Sequence, residues 1–210
     1  MPWASPAALS VTSRAHGGPG LAPGAPVRVL ELGCGDGAHL VPLAWFRPEL
    51  TALGVDVSPR ALAAARRTGE ALGLADRLRF ETHDLATLEV EPGSFDVVIA
   101  HGVYSWVDAE RRAALRRVAA RALRPGGLCY ASFNAAPRWS VRGRVRDALV
   151  RGGVTTADEA RARLAGLRAL VPDEPADAWS ALLAHELERA AASEEGYLVH
   201  EYLARDNASF

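Results

Sequence analysis

Five short apolar runs alternate with amphipathic stretches from residue 27 to residue 133. Val27-Arg28-Val29-Leu30-Glu31-Leu32 is an apolar run flanked by turn residues, which suits a buried strand. A glycine-rich turn over 33–37 follows. A helical stretch then runs from about 38 to 46, with Pro42 bending its start. Residues 53–56 form a second strand. Ser58 caps the next helix with Pro59 at its first position, and Gly73 stops it. Residues 78–83 make a third strand, and Phe95-Asp-Val-Val-Ile-Ala100 a fourth, apolar enough for burial on both faces. A helix over 109–123 places Leu115, Val118, Ala119, Ala122 and Leu123 at core spacing. Arg111, Arg112, Arg116, Arg117 and Arg121 fall largely opposite and read as a solvated face. Pro125-Gly126-Gly127 ends this helix, and 128–133 form a fifth strand. Strands alternating with helices through short connections predict an α/β fold: a parallel sheet with helices on both faces.

The flanks read differently. Residues 1–26 carry Gly17-Gly18-Pro19-Gly20 and Pro23-Gly24-Ala25-Pro26, turn and linker signals that suggest a flexible arm or a lid. Beyond Asn134, the segments 140–150, 158–170, 176–192 and 195–204 read as helices, and no further strand is evident. The expected organisation is an arm at 1–26, a ligand-binding domain at 27–139 and a C-terminal helical appendage at 140–210.

Composition narrows the function classes. The 210 residues are 49% apolar and 23% charged, ordinary for a globular chain. The 24 basic residues, all arginine, nearly cancel 25 acidic ones, so no nucleic-acid partner is expected. No apolar stretch reaches the roughly 20 residues of a membrane span, and no secretory signal is visible. Cys34 and Cys129 lie far apart, which excludes a disulfide framework and fits a reducing cytoplasm. The six histidines are scattered, without metal-ligand spacing.

The informative chemistry begins at Glu31-Leu32-Gly33-Cys34-Gly35-Asp36-Gly37. Glycines after a strand let the backbone turn sharply and approach a ligand closely. The helix that follows offers free N–H groups to an anionic group. Roughly twenty residues on, Asp56 closes the second strand, where an acid can accept both hydroxyls of a ribose. The loop has one residue between its second and third glycines where a dinucleotide fingerprint has two, which disfavours a nicotinamide oxidoreductase.

These residues, with Gly54-Val55-Asp56, His83-Asp84 and Leu123-Arg124-Pro125-Gly126-Gly127, resemble the class I S-adenosylmethionine-dependent methyltransferases over about 27–134. The resemblance implies a Rossmann-like fold and S-adenosyl-L-methionine as cofactor. It implies that the loop of Gly33, Gly35, Asp36 and Gly37 holds the methionine part, that Glu31 is a further cofactor-binding residue, that Asp56 binds the ribose, and that Asp84 with the Leu85 amide reads the adenine edge. A narrower resemblance rests on His101-Gly102-Val103-Tyr104-Ser105-Trp106-Val107, Ser132-Phe133-Asn134, Arg138-Trp139 and Tyr197-Leu198-Val199-His200-Glu201. Together these are similar to bacterial methyltransferases that carry a methyltransferase regulatory domain, some of them similar to protein-lysine methyltransferases. The chain departs from that group at Ala38-His39 and at Ala135-Ala136-Pro137-Arg138.

The implied partner is an unidentified methyl acceptor, a protein or a small molecule. His101, at the fourth-strand tip, is a candidate general base; in the other reading its backbone carbonyl touches the cofactor and its ring only packs. Tyr104 is the second catalytic candidate. Tyr104, Trp106 and Asn134 are candidates for the acceptor pocket. The competing class is a non-catalytic cofactor-binding or partner-binding module that kept the fold. The resembled sheets have seven strands, the last two a hairpin, whereas this pattern yields five. A short form with order 3-2-1-4-5 and no closing strands is therefore expected, its fifth-strand edge covered by the late helices or by a second copy in a homodimer.

Overall fold

The computed structural model describes residues 2–204 and 206–210, the side chains of Pro2, Pro137 and Arg138 excepted. Met1, in the segment read as an arm, and the Arg138 side chain, in the narrower resemblance, lie outside the described residues. The chain divides into two compact units, Met1–Phe133 and Asn134–Phe210.

The first unit holds five parallel strands: β1 (Val27–Leu32), β2 (Leu50–Asp56), β3 (Leu78–Thr82), β4 (Phe95–Ala100) and β5 (Leu123–Ala131). Their order is β3-β2-β1-β4-β5, as the resemblance to methyltransferases implies. Successive side chains on a strand point to opposite faces. Val29, Val97 and Ile99 therefore join one core, with residues of α2 (Leu40–Phe46) and α3 (Pro59–Ala71). Leu30, Leu32, Val98 and Ala100 join the other, with residues of α4 (Ala109–Ala122). Central strands with two buried faces explain their near-continuous apolar composition. Ser58 Oγ accepts the Ala61 N–H at 3.2 Å, which starts α3 where its cap signal stands, and Asp108 Oδ1 accepts the Arg111 N–H at 2.8 Å at the start of α4.

The structure differs from the sequence pattern at several places. Within 1–26, residues Pro6–Ala15 form a helix, α1, capped by Ser5 and opened by Pro6. Ala4, Ser10 and Leu21 are buried, Leu9 packs on the core of α2 and α3, and Ser10 Oγ accepts the Leu21 N–H at 2.9 Å. Turn-rich composition masks this helix, because the glycines cluster only after it. β2 begins at Leu50, opposite Val27, rather than at 53. Pro125-Gly126-Gly127 is not a helix stop followed by a new strand: β5 already begins at Leu123, and its register against β4 slips between Phe95↔Leu123 and Val97↔Leu128.

The second unit begins with α5 (Ala136–Arg151), so the expected boundary at 139 falls inside a helix. α6 (Ala157–Arg168), α7 (Ala178–Ala191) and α8 (Glu195–Leu198) follow. The helix expected over 195–204 passes into a π-helical turn at Val199–Leu203, which puts Tyr202 in the core with Leu149, Leu164, Leu187 and Leu198. The Tyr202 hydroxyl donates to Glu186 Oε1, which also accepts from Arg142 at 3.0 Å and Arg189 at 2.8 Å.

Candidate functional site

The candidate residues of the first unit gather at the carboxyl ends of β1 to β4, where open α/β sheets hold ligands. The turn after β1 has Gly33, Gly35 and Gly37 at φ values of 74°, 54° and 76°, a conformation in which other residues are strained. A Cβ on Gly33 would lie 2.4 Å from Val103 Cγ2, and one on Gly37 3.0 Å from Ala65 Cβ. A Cβ on Gly35 would meet nothing within 4 Å, so the backbone there faces open space. Asp56, half-buried at the end of β2, accepts the Gly35 N–H at 2.8 Å through Oδ2 and the Ser58 N–H at 2.9 Å through Oδ1. The acid thus holds the summit of the turn. Asp36 is exposed and accepts the Ala38 N–H at 3.1 Å.

Glu31 is buried at the end of β1, and its Oε1 lies 3.0 Å from His39 Nδ1, beside the start of α2. Glu31 Oε2 and His39 Nε2 are buried without a protein partner. This pairing escapes sequence reasoning. No periodicity links a strand residue to a helix-entry residue, and the only signal is that His39 departs from the pattern of the resembled group. Burial, then the charges of Glu31 and Asp56, push the Cys34 thiol up to about 12, so it stays protonated and is no nucleophile.

Beyond β3, Asp84 is half-buried and Leu85 buries its side chain against α4. The arginines of α4 are not a merely solvated face. Arg111 pairs with Asp84, Arg117 donates to the Ala86 carbonyl at 3.2 Å, and Arg121 to the Val90 carbonyl at 2.8 Å. The segment after β3 is strapped to α4 along its length, because its carbonyls and one carboxylate lie within reach of long cationic side chains.

After β4, His101 stacks on Tyr130 with ring centroids 6.0 Å apart, its Nδ1 3.4 Å from the tyrosine hydroxyl. Burial, then the nearby His39, holds the His101 imidazole below the usual histidine range. Tyr104, Ser105 and Trp106 form a short 3-10 turn. The Tyr104 ring meets Phe133 edge-on at 6.3 Å, and its hydroxyl accepts from Arg116. Trp106 is half-buried. Asn134 belongs to the second unit, where its Nδ2 donates to Asn207 Oδ1 at 2.8 Å.

Fold and site together define a class. Residues 29–127, just under half of the chain, match the family model described as a methyltransferase domain. The match supports the resemblance to methyltransferases over that segment.

Among relatives, the chain is 30% identical over 189 residues to the uncharacterized protein RP789 of Rickettsia prowazekii, a match spanning 87% of this chain and 34% of that protein. It is 42% identical over 103 residues to the trans-aconitate 2-methyltransferase of Methylobacterium nodulans, covering 49% of this chain and 36% of that enzyme. The solved structure of PKMT2 from Rickettsia typhi is similar in fold, with a TM-score of 0.86 at 24% identity, covering 100% of this chain and 40% of PKMT2. PKMT2 has also been solved in complex with AdoHcy. The chain thus spans about a third of RP789 and two-fifths of PKMT2.

Proposed function

We propose that the first unit binds S-adenosylmethionine over the turn after β1 and transfers its methyl group to an acceptor, a protein side chain in the reading favoured by the sequence resemblance. One observation carries it: Asp56 at the tip of β2 fixes the Gly35 amide beneath an open approach to the backbone. The orphaned Glu31 Oε2 is an acceptor suited to an ammonium, and the methionine part of the cofactor carries one. The AdoHcy complex of PKMT2 supports the same choice.

When bound, the cofactor supplies a sulfonium-bound methyl for in-line displacement. The residues of the chain hold and align. Asp56 accepts from the ribose hydroxyls beside its existing bonds, and Asp84 with the Leu85 amide meets the adenine edge. Gly33, Gly37 and Asp36 keep the turn in place. His101, its proton affinity lowered by burial, is neutral near pH 7 and takes the proton that an amine acceptor loses. Tyr104 and Trp106 wall the acceptor side. The reaction is placed in a reducing cytoplasm, in keeping with two free cysteines.

The test is incubation of the protein with methyl-labelled S-adenosylmethionine and a host lysate. Label in protein supports a side-chain acceptor, and label in small molecules replaces that acceptor class. Cofactor binding with no turnover on any fraction favours a non-catalytic module, and tighter binding of NAD than of S-adenosylhomocysteine overturns the cofactor.

A further inference from the structure

Arg111 grips Asp84 at both carboxylate oxygens. Its Nε donates to Oδ1 at 3.0 Å, and its Nη2 donates to Oδ2. The Ala86 N–H adds a second donor to Oδ1 at 3.0 Å. Arg111 is held in turn by Asp108, which caps α4 through the Arg111 N–H and accepts from Nη1 at 2.6 Å. The guanidinium fork is therefore fixed from both ends, a geometry a lysine cannot supply.

The acceptor count on Asp84 then becomes specific. An ionised carboxylate offers about four acceptor positions, two on each oxygen. Among the described contacts, Oδ1 has two donors and Oδ2 one, which leaves one position, on Oδ2. The side chain is 35% exposed, so a ligand can reach it. The hydrogen bonds from Arg111 and the Ala86 amide hold the carboxyl below the usual carboxylate range, so it acts as an acceptor only.

We propose that Arg111 is a positioning residue that turns Asp84 into a filter for a purine bearing an amino group. This rests on the reading that the adenosyl group lies at Asp84. Arg111 aims the free position of Oδ2, and a base edge placed there must present a donor. An adenine amine does so. The keto edge of hypoxanthine sets one acceptor against another, an arrangement that leaves a desolvated polar group unpaired. The Arg117 and Arg121 bonds reach carbonyls only, so they fasten the segment without touching the acceptor count.

The experiment is calorimetric titration of the full chain with S-adenosylhomocysteine and with S-inosylhomocysteine, its deaminated analogue. The native chain prefers the adenine ligand by about tenfold or more, as expected for a hydrogen bond to a charged acceptor. Arg111→Ala weakens the adenine ligand by about tenfold and brings the preference below about threefold. Arg111→Lys restores little of it. Arg121→Ala, which removes another strap from the same segment, keeps the preference. Circular dichroism checks that each variant is folded. Equal binding of both ligands to the native chain, a preference unchanged in Arg111→Ala, or the same loss in Arg121→Ala overturns the proposal. Failure of the native chain to bind either ligand overturns the cofactor reading itself, a separate result.

Discussion

Glu31 and His39 meet at 3.0 Å across the glycine turn, their side chains only 3% and 9% exposed. One closes the central strand and the other opens α2, so the contact locks the turn to both elements. His39→Ala leaves the Glu31 carboxylate buried without its partner and should cost about 1–3 kcal/mol of stability. Glu31→Gln keeps a carbonyl acceptor for the ring and should cost less. Urea unfolding reads this as a lower midpoint at unchanged slope.

Asp56→Ala removes the proposed ribose acceptor and should weaken S-adenosylhomocysteine by about 1.5–3 kcal/mol, roughly ten- to a hundredfold. The chain still folds, because the residue stands at a strand end. A loss of about 1 kcal/mol accompanies release of the Gly35 amide. Calorimetry and thermal melting separate the two effects.

Tyr104→Ala should lower turnover more than cofactor affinity. The ring is held between the Arg116 guanidinium, 5.9 Å from its centroid, and Phe133, on the side assigned to the acceptor. Single-turnover rates at saturating cofactor give the first quantity and equilibrium titration the second. A collapse of affinity with turnover preserved would place the residue at the cofactor instead.

His101 gives a pH signature. Burial and the nearby His39 favour its neutral form, so its lowered value puts the acid limb of kcat/KM below the usual histidine value of about 6.5. The rate rises as pH passes that lowered value and then levels. His101→Gln should abolish the limb along with most of the rate, and a limb that persists would reassign the base.

Asp96 couples stability to acid. Burial alone would raise its carboxyl, but Arg124, the Arg28 amide and the Arg28 guanidinium hold it below the usual range. A lowered folded value means the contribution is present above the unfolded value of about 3.9 and lost as pH falls through the folded one. Asp96→Asn should therefore flatten the decline in melting temperature below about pH 4.

Much of the sheet was readable from the chain because β1 and β4 are buried on both faces and bounded by turn residues. Their limits follow from those runs, whereas the strand order was an expectation that came with the resemblance to methyltransferases. α1 was hidden although Ser5-Pro6 repeats the cap and first-turn signal of Ser58-Pro59, since the glycines that follow dominate a composition-based reading. The start of β5 was hidden because Pro125-Gly126-Gly127 is ordinary turn chemistry that a register slip absorbs. The glycine turn and Asp56 were readable as a unit. The contacts Glu31–His39 and Arg111–Asp84 were not, because each joins residues on different elements that only the packed sheet brings together.

The strand order also sets a schedule for a chain made from its N-terminus. β1, β2 and β3 pair with near neighbours in sequence, and by Asp56 the whole glycine turn has been synthesised. The other edge of β1 waits for β4: the Arg28 amide and the Asp96 carboxylate that joins it are separated by 68 positions. During that interval a strand buried at five of its six positions keeps an open edge, and Val103, which packs over Gly33, does not yet exist. A nascent chain halted short of β4 therefore carries the glycine turn on an unfinished wall and is a target for chaperones, while release after β4 closes the edge and the ligand platform in one event.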